Sequence, residues 1–367
     1  MCVRKHDQLM NGIVAVFRHS YGAFSLDVSL TLPGRGVSAI FGSSGSGKTS
    51  LLRCFAGLER AQSAYLSVNG EVWQDGQNGV FLPVYKRPLG FVFQDASLFA
   101  HLDVQQNLDY GLRRVPVAER RVALDRAIEL LGIGQLLRRR SDTLSGGERQ
   151  RVATARALAT SPRVLLMDEP LASLDVQRKA EILPYLERLH DELDIPVLYV
   201  SHAPDEVARL ADHLVLLEAG RVLASGPTRE LMTRMDLPLA HGDSAAAIIE
   251  ATVQRLEPHY QLAVAAFDGG EISVLNPTLH VGQAVRLRIQ ARDVSLTLQK
   301  QGDTSVLNIF AVTVTGLSPD SPGQVMVGLD AGGNTMLARI SQKSADALEL
   351  NAGKQVFAQV KGVAVLG

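Results

Sequence analysis

The sequence has the composition of a globular protein: 367 residues, 46% of them hydrophobic and 20% charged. These values exclude a disordered or collagen-like chain, and the length suggests roughly two or three domains. The 37 basic and 38 acidic side chains nearly cancel, so no global electric field attracts the protein to nucleic acid or to an anionic membrane.

Cysteine usage and the uncharged segments favour an intracellular protein. Cys2 and Cys54 lie in unrelated contexts, which disfavours a disulfide framework. The longest run without a charged residue, 304–319, is sixteen residues long and ends in Pro319, so it is too short to span a bilayer. Polar residues interrupt the start of the chain, and we therefore expect no secretory signal.

The first 235 residues alternate short apolar runs with longer amphipathic stretches, which predicts an α/β fold with a largely parallel sheet. Three near-continuous apolar runs predict strands buried on both faces, at 37–41, 164–167 and 197–200. Amphipathic helices are predicted at 122–131, with Leu124, Ile128 and Leu131 on one stripe, and at 182–193, with Ile182, Leu186, Leu189 and Leu193 on another. At Pro184 the second helix is expected to bend or to begin a new turn.

The chain changes character after about residue 240, where an alternation of period two predicts a β-rich region. Strands are expected near 285–289, 310–315 and 325–329, followed by a turn at 330–334 and one short helix within 341–350. Short strands at this spacing suggest a small barrel. The predicted divisions are 1–236, a connector with further strands at 237–299, and 300–367.

A glycine-rich motif directly follows the first buried strand. Residues 42–49 read Gly-Ser-Ser-Gly-Ser-Gly-Lys-Thr, which fits the phosphate-binding P-loop pattern. Glycines let backbone N–H groups surround a polyphosphate closely, and the next helix directs its positive end at the charge. Lys48 is expected to reach the outer phosphates and Thr49 to bind Mg²⁺. The predicted nucleotide-binding residues here are Gly42, Ser43, Ser44, Gly45, Ser46, Gly47, Lys48, Thr49 and Ser50.

Two later segments narrow this prediction to one family. Residues 144–150 read Leu-Ser-Gly-Gly-Glu-Arg-Gln, and 164–169 read Val-Leu-Leu-Met-Asp-Glu. With these segments the sequence resembles the ATP-binding subunits of ABC transporters over about residues 12–235. The resemblance implies that Ser145, Gly146 and Gly147 cap the γ-phosphate held by the P-loop of a second subunit. Because one chain carries one P-loop and one such signature segment, we expect a head-to-tail homodimer with two ATP sites.

Polar residues at the predicted strand ends complete the expected site. Asp168 and Glu169 end an apolar strand, where Asp168 is suited to Mg²⁺ through water. By the family likeness, Glu169 orients or deprotonates the attacking water and His202 contacts the γ-phosphate. Gln94 matches the glutamine that joins the magnesium site to the helical subdomain facing the membrane subunits. The predicted catalytic residues are therefore Glu169, His202 and Gln94, and the predicted metal ligands are Thr49, Gln94 and Asp168.

Other positions keep more than one interpretation. Asp175 matches the D-loop that crosses between subunits in the family, and it also suits a simple capped helix start. Tyr21 is the candidate for stacking on adenine, because an aromatic residue before the P-loop does so in relatives; Phe24 and Phe17 are alternatives. The basic run 138–140 is either a solvated face or a contact with a membrane subunit or lipid headgroups.

The C-terminal segment resembles a molybdate-binding Mop module, a TOBE-like domain with an OB-like barrel, over about residues 300–366. The likeness lies in Ser-Val-Leu-Asn-Ile at 305–309, Ala-Arg-Ile-Ser-Gln-Lys-Ser at 338–344 and Val-Phe-Ala-Gln-Val-Lys at 356–361. It implies that Ser344, Lys361 and the amides of 305–308 bind molybdate, a tetrahedral dianion. The segment 305–308 lacks the arginine of the family's Ser-Ala-Arg-Asn. A purely structural or regulatory barrel is therefore the alternative.

Together the resemblances predict an ATP-hydrolysing subunit of an ABC importer for molybdate, peripheral on the cytoplasmic face of the inner membrane. The implied cofactors are ATP and Mg²⁺. The implied partners are two integral membrane permease subunits and, through the complex, a periplasmic oxyanion-binding protein, with no nucleic acid. A sulfate or thiosulfate importer ATPase is the first alternative. Rivals of other classes are a soluble ABC ATPase acting on DNA or ribosomes, and an oxyanion sensor or storage protein.

Overall fold

The computed structural model describes residues 12–22 and 24–366. Within these ranges the chain divides into two units between Gly226 and Pro227, whereas the sequence suggests a first boundary at 236/237. None of the helices in the described ranges combines the length and the apolar character needed to cross a membrane.

The first unit is built on one large sheet with flanking helices. Its strands are β1 (Gly12–Tyr21), β2 (Phe24–Pro33), β3 (Gly36–Phe41), β4 (Ser63–Val68), β5 (Glu71–Asp75), β6 (Val80–Phe81), β7 (Leu89–Val92), β8 (Val164–Asp168), β9 (Pro196–Ser201), β10 (His213–Glu218) and β11 (Arg221–Pro227). Its helices are α1 (Lys48–Ala56), α2 (Val104–Leu112), α3 (Leu124–Leu130), α4 (Gly146–Leu158), α5 (Val176–Glu192) and α6 (Pro204–Leu210). The strand order is β6-β5-β4-β1-β2-β11-β10-β3-β9-β8-β7.

The sheet is mixed, which corrects the prediction of a largely parallel one. The three predicted buried strands are confirmed as β3, β8 and β9, and they lie parallel to one another and to β7 and β10. Strands β1, β2, β4, β5 and β6 instead pair antiparallel with one another, while β2 also pairs parallel with β11 on its other side. Strand β2 shows the reason, because its buried residues alternate with exposed ones, as in antiparallel strands with one solvated face.

The two predicted helices differ from their predicted bounds. Helix α3 is shorter than 122–131, and its buried positions are Ala127 and Leu130, whereas Leu124 and Ile128 are half-buried. Leu131, which directly follows the helix, is buried as predicted. Helix α5 begins before the predicted 182–193 and runs continuously through Pro184. Its predicted apolar stripe packs into the interior, with Ile182, Leu186 and Leu189 all buried.

The second unit is β-rich, as predicted. It contains α7 (Thr228–Leu231), β12 (Ala246–Glu257), β13 (Leu262–Phe267), β14 (Gly270–Leu275), β15 (Ala284–Gln290), β16 (Val294–Thr297), β17 (Asn308–Pro319), β18 (Gln324–Ala331), β19 (Asn334–Ser341), α8 (Gln342–Ala347), β20 (Gln355–Val360) and β21 (Ala364–Leu366). Two antiparallel sheets of five strands result, in the orders β14-β13-β12-β15-β21 and β16-β20-β17-β18-β19.

One apolar core joins these two sheets. It includes Ile249 and Leu287 from the first sheet and Phe310, Val327 and Ala358 from the second. The predicted turn after β18 is confirmed, since Gly332 and Gly333 have φ values of 61° and 86°. Such left-handed conformations suit the two central residues of a tight hairpin turn.

Candidate nucleotide-binding site

The parallel strands bring several predicted site residues to one edge of the first unit's sheet. Phe41 at the end of β3 pairs with Ser201 of β9, and Asp168 of β8 pairs with Val200 of β9. The P-loop therefore begins beside the strand that leads into His202, with Asp168 and Glu169 next to it. Carboxyl ends of parallel strands are the usual position of ligand sites in such sheets.

The P-loop has a backbone that only glycine accommodates well. Gly45 and Gly47 have φ values of 80° and 101°, in the left-handed region that side chains disfavour. A Cβ atom on Gly42 would lie 2.2 Å from the Leu217 carbonyl oxygen. Helix α1 begins at Lys48, so its free N–H groups face the loop. The buried Ser46 hydroxyl lacks a hydrogen-bond partner among the described residues, which fits a loop built to surround an anion.

Lys48 is held against this loop. Its Nζ donates to the carbonyl oxygens of Gly42 and Ser43, both at 2.9 Å, and lies 3.8 Å from Glu169 Oε1. Burial lowers the pKa of Lys48, and the charges of Glu169 and Asp168 oppose that shift. A buried ammonium gains from an anionic partner, so a phosphate group suits this position.

Thr49 and Asp168 form an oxygen pair suited to a hard cation. The Thr49 hydroxyl donates to Asp168 Oδ1 at 3.1 Å. Asp168 is 8% exposed, and burial, together with the nearby charge of Glu169, raises its pKa despite the hydroxyl bond and the charges of Lys48 and Arg53. Oxygen ligands and a buried carboxylate whose charge is only partly compensated fit Mg²⁺. Gln94 is exposed, two residues beyond β7, and within the described ranges no hydrogen bond joins it to this pair.

Glu169 and His202 are neighbours at the sheet edge. Glu169 has a left-handed φ of 44°, while its N–H donates to the Val200 carbonyl at 3.1 Å. Its Oε2 lies 3.3 Å from His202 Nδ1. A strained backbone of this kind is characteristic of functional sites, where it directs a side chain. Two of the three predicted catalytic side chains, Glu169 and His202, are thus in contact, and the His202 side chain is 51% exposed.

The signature and D-loop residues begin helices that pack together. Ser145 caps α4 and Asp175 caps α5, and each side chain accepts a backbone N–H of the first turn. The capped helix start considered for Asp175 is therefore present. Both residues line one groove of about 620 Å³. Gly146 and Gly147 also serve packing, because a Cβ on either would lie within about 3 Å of Leu174 or Ile182.

The three aromatic candidates for adenine stacking differ in their burial and contacts. Phe17 is fully buried and packs edge-on against Phe55, with ring centroids 5.3 Å apart. It is therefore unavailable to a ligand. Tyr21 is half-buried and its hydroxyl donates to Glu59; burial and this carboxylate raise its pKa. Phe24 lies against the P-loop, since a Cβ on Gly47 would be 2.7 Å from its ring.

One buried network was not predicted from the sequence. Glu206 on α6 accepts hydrogen bonds from Tyr199 at 2.9 Å, from Ser201 at 2.8 Å and from Lys179 at 2.8 Å. It therefore ties the strand end before His202 to α5, the helix that follows the D-loop. The sequence contains no pattern that would identify Glu206 as the centre of this network, because its partners lie on other secondary-structure elements.

The predicted oxyanion ligands of the second unit have other bonds. The Ser344 and Ser341 hydroxyls are 2.7 Å apart, and the backbone N–H of Val306, one of the predicted amides, donates to Thr304 Oγ1 at 3.2 Å. The side-chain amide of Asn308 exchanges hydrogen bonds with the backbone N–H and carbonyl of Ser273. The backbone N–H of the exposed Lys361 donates to the Asp293 carbonyl at 3.0 Å. In the part of the chain that the structure describes, no hydrogen bond or ion pair joins Ser344, Lys361 and Asn308 to one another.

Comparisons with known proteins show the family to which the chain belongs. The ABC transporter family model matches residues 26–172, and the TOBE domain model matches residues 304–367. The molybdenum import ATP-binding protein ModC 1 of Azotobacter vinelandii is 57% identical over 358 residues, covering 97% of this chain and 99% of the relative. The corresponding ModC protein of Aromatoleum aromaticum is 58% identical over 354 residues, covering 96% of this chain and 94% of the relative.

One solved structure is also similar to part of this chain. It is cbiO1 from Clostridium perfringens, described as part of the ABC transporter complex cbiONQ, with a TM-score of 0.53 and 28% identity. The similarity covers 60% of this chain and 90% of that one. Given the near full-length identity to several such proteins, the chain belongs to the ModC family of molybdenum import ATP-binding proteins, with an ABC ATPase unit followed by a TOBE domain.

Proposed function

We propose that this ATPase subunit of an ABC molybdate importer hydrolyses ATP with Glu169 as the residue that orients or deprotonates the attacking water. The observation that carries the proposal is the contact of Glu169 with both Lys48 and His202, at 3.8 and 3.3 Å. A carboxylate between a phosphate-binding lysine and a histidine lies where a water attacking the γ-phosphate needs a base.

The other residues of the sheet edge bind and orient the nucleotide. The P-loop backbone and Lys48 hold the phosphates, and His202 donates a hydrogen bond to the γ-phosphate. Thr49 and Asp168 are the residues that hold Mg²⁺, with Gln94 entering from the loop after β7. Bound Mg²⁺ supplies positive charge that stabilises the charge developing on the phosphate oxygens.

The complete site contains two copies of the chain. Ser145 and the amides of Gly146 and Gly147 donate to the γ-phosphate of the partner copy, and the D-loop with Asp175 lies along the same interface. The arrangement supports this role, because Ser145 and Asp175 line one groove and both start helices whose N-terminal N–H groups favour an anion. ATP binding then closes the homodimer, and hydrolysis opens it.

The closing motion is transmitted to membrane partners through the loop that carries Gln94. The partners are two permease subunits, with a periplasmic oxyanion-binding protein acting through the complex, and the subunit lies on the cytoplasmic face of the inner membrane. Exposed Phe93 and Gln94 directly follow β7, so the candidate magnesium ligand Gln94 lies on a surface that a partner can contact.

Reconstitution tests the transported substrate. The chain is assembled with its permease in liposomes, and ATP hydrolysis is measured with the binding protein loaded with molybdate or with sulfate. Molybdate is expected to stimulate hydrolysis several-fold more than sulfate. Stimulation by sulfate or thiosulfate alone would instead support the alternative importer, and the Glu169→Gln variant supplies the background without hydrolysis.

In the second unit, Ser344, Lys361 and the amides of 305–308 are the candidate ligands of an oxyanion. Ser344 and Lys361 are exposed, and hydroxyl, ammonium and amide groups suit a tetrahedral dianion. Equilibrium dialysis of the full chain against molybdate tests this site. Binding that Ser344→Ala weakens supports it, whereas no binding at millimolar molybdate supports a purely structural or regulatory barrel.

A further inference from the structure

A series of polar contacts behind the signature segment connects Arg139 to Ser145. Glu148 Oε2 accepts the Ser145 backbone N–H at 2.7 Å, and Ser145 Oγ accepts the Glu148 N–H at 3.2 Å. The other carboxylate oxygen of Glu148 lies 3.0 Å from Arg139 Nη1. Arg139 Nη2 also donates to the Thr143 carbonyl at 2.6 Å. The guanidinium is therefore held in one orientation against the carboxylate.

These contacts determine how the Ser145 hydroxyl is used. Because its oxygen accepts the Glu148 N–H, its own hydrogen stays available to donate outward. A phosphate oxygen is an acceptor, so a capped serine of this kind is oriented for the partner's nucleotide. Any change that releases the Glu148 side chain also releases one half of this capping box.

Glu148 also places a carboxylate next to Ser145. Burial raises its pKa, but its bonds with Ser145 and the charges of Arg139 and Arg151 outweigh burial and lower the pKa overall. The carboxylate is therefore ionised at neutral pH, in the first turn of the helix that meets a triphosphate. An unpaired negative charge there would repel the nucleotide. Arg139 is in direct contact with it, whereas Arg151 is engaged with the Leu131 and Gly132 carbonyls.

We propose that Arg139 is a positioning residue for ATP hydrolysis in trans. By pairing with Glu148 it fixes the capped Ser145 hydroxyl and neutralises the one acidic charge of the signature segment. This inference deepens the proposed function and rests on its homodimer. It also gives Arg139 a role that its two neighbours in the basic run 138–140 do not share, because Arg138 is exposed and Arg140 pairs with Asp142 at 3.2 Å.

The test measures nucleotide-driven dimerisation of the full chain in the Glu169→Gln background. Sedimentation velocity gives the ATP concentration at which half of the chain is dimeric. Arg139→Ala is expected to raise this midpoint about tenfold, equivalent to about 1.4 kcal/mol. The double variant Arg139→Ala/Glu148→Gln is expected to return within about threefold of the parent, because a neutral glutamine keeps an oxygen for the Ser145 N–H and brings no charge.

A matched control and a second readout separate this role from folding. Arg138→Ala is the control, since Arg138 forms no hydrogen bond or ion pair among the described residues, and we expect its midpoint within about twofold of the parent. Fluorescent-nucleotide binding to the single chain should be unchanged by Arg139→Ala, because the proposed action is on the partner's nucleotide. If melting shows that Arg139→Ala is unfolded, Arg139→Gln, which keeps a donor for Thr143, takes its place.

The outcomes distinguish the inference from the proposed function. A parent chain that stays monomeric with ATP overturns both. A parent that dimerises while Arg139→Ala has an unchanged midpoint overturns the inference alone. A raised midpoint that Glu148→Gln fails to restore also overturns it, because Arg139 then acts through its bond to Thr143 rather than through the carboxylate charge.

Discussion

The Thr49 hydroxyl donates to Asp168 across 3.1 Å, which joins two motifs that lie far apart in the sequence. Thr49 is in the first turn of α1, and Asp168 is the last residue of β8. The sheet brings them together because β3 and β8 both lie parallel to β9, one on either side of it. The contact between these two predicted magnesium ligands therefore depends on the order of the strands in the sheet and not on neighbouring residues in the sequence.

Lys48→Ala should weaken ATP binding about a hundredfold, since a charge-assisted contact to phosphate contributes roughly 1.5–3 kcal/mol. Fluorescence titration with a labelled ATP analogue measures the affinity. Arg35→Ala is the control, because Arg35 is exposed just before β3, at the opposite end of that strand from the P-loop. Equal affinities for the Lys48 variant and the parent would contradict the assignment.

Asp168→Asn should stabilise the nucleotide-free chain while abolishing hydrolysis that requires Mg²⁺. Burial raises the pKa of Asp168, so the stability linked to its proton is present at acidic pH and is lost as pH rises from the unfolded-state value through the raised one. At neutral pH the buried charge is therefore unfavourable, whereas asparagine is neutral and keeps an oxygen for Thr49.

Thermal melting across a pH series measures this effect. A gain of about 1 kcal/mol corresponds to a rise in Tm of about 2–4 °C for a unit of this size. The gain should shrink as the pH falls toward the ordinary carboxyl range. A lower Tm for Asp168→Asn at neutral pH would show that the carboxylate is favourably paired even without a cation.

Glu206→Gln should lower turnover more than it lowers ATP affinity. The substitution weakens the contact with Lys179 and disturbs Ser201, which directly precedes His202. Breaking a buried charge contact of this kind costs about 3 kcal/mol of stability. Steady-state kinetics gives kcat and KM, and urea unfolding gives the stability.

The Lys179→Met/Glu206→Gln pair provides the control for this contact. If the two residues interact directly, the double variant should lose less stability than the sum of the single losses. Additive losses, or a change in KM with kcat intact, would argue against a link between α5 and the His202 loop.

Tyr21→Ala should reduce ATP affinity about tenfold if the ring stacks on adenine, because base stacking contributes roughly 1–3 kcal/mol. Tyr21→Phe should stay within about twofold, since it removes the hydroxyl that donates to Glu59 but keeps the ring. The same measurement on Phe24→Ala decides between the two remaining candidates. A loss in the Phe24 variant alone would transfer the role to Phe24.

The sequence predicted the parallel core well because its strands are buried on both faces and therefore read as continuous apolar runs, as in β8. It missed the antiparallel half of the sheet, where β2 alternates and each face has a different environment. The sequence motifs predicted that the P-loop, Asp168 and His202 follow or end strands. The distances between them depend on how the strands pair, which the sequence does not give.

Contacts between side chains of distant segments could not be predicted from the sequence. Glu206 meets Lys179 and Tyr199 only because α6 packs beside α5 and β9, and Tyr21 meets Glu59 through the fold. Phe17 looked equivalent to Tyr21 as an aromatic residue of the same segment, but the core encloses it. Arg139 is one of three consecutive arginines in the sequence, and its contact with Glu148 arises only in the fold.

The mass of the Glu169→Gln chain in solution, with ATP and Mg²⁺ and then without nucleotide, tests most directly the proposal that two copies share each ATP site. Light scattering should give twice the 39.6 kDa chain mass with ATP and the single mass without it, and Ser145→Arg should abolish the change. A chain that binds ATP tightly and keeps the 39.6 kDa mass at all protein concentrations would contradict the account.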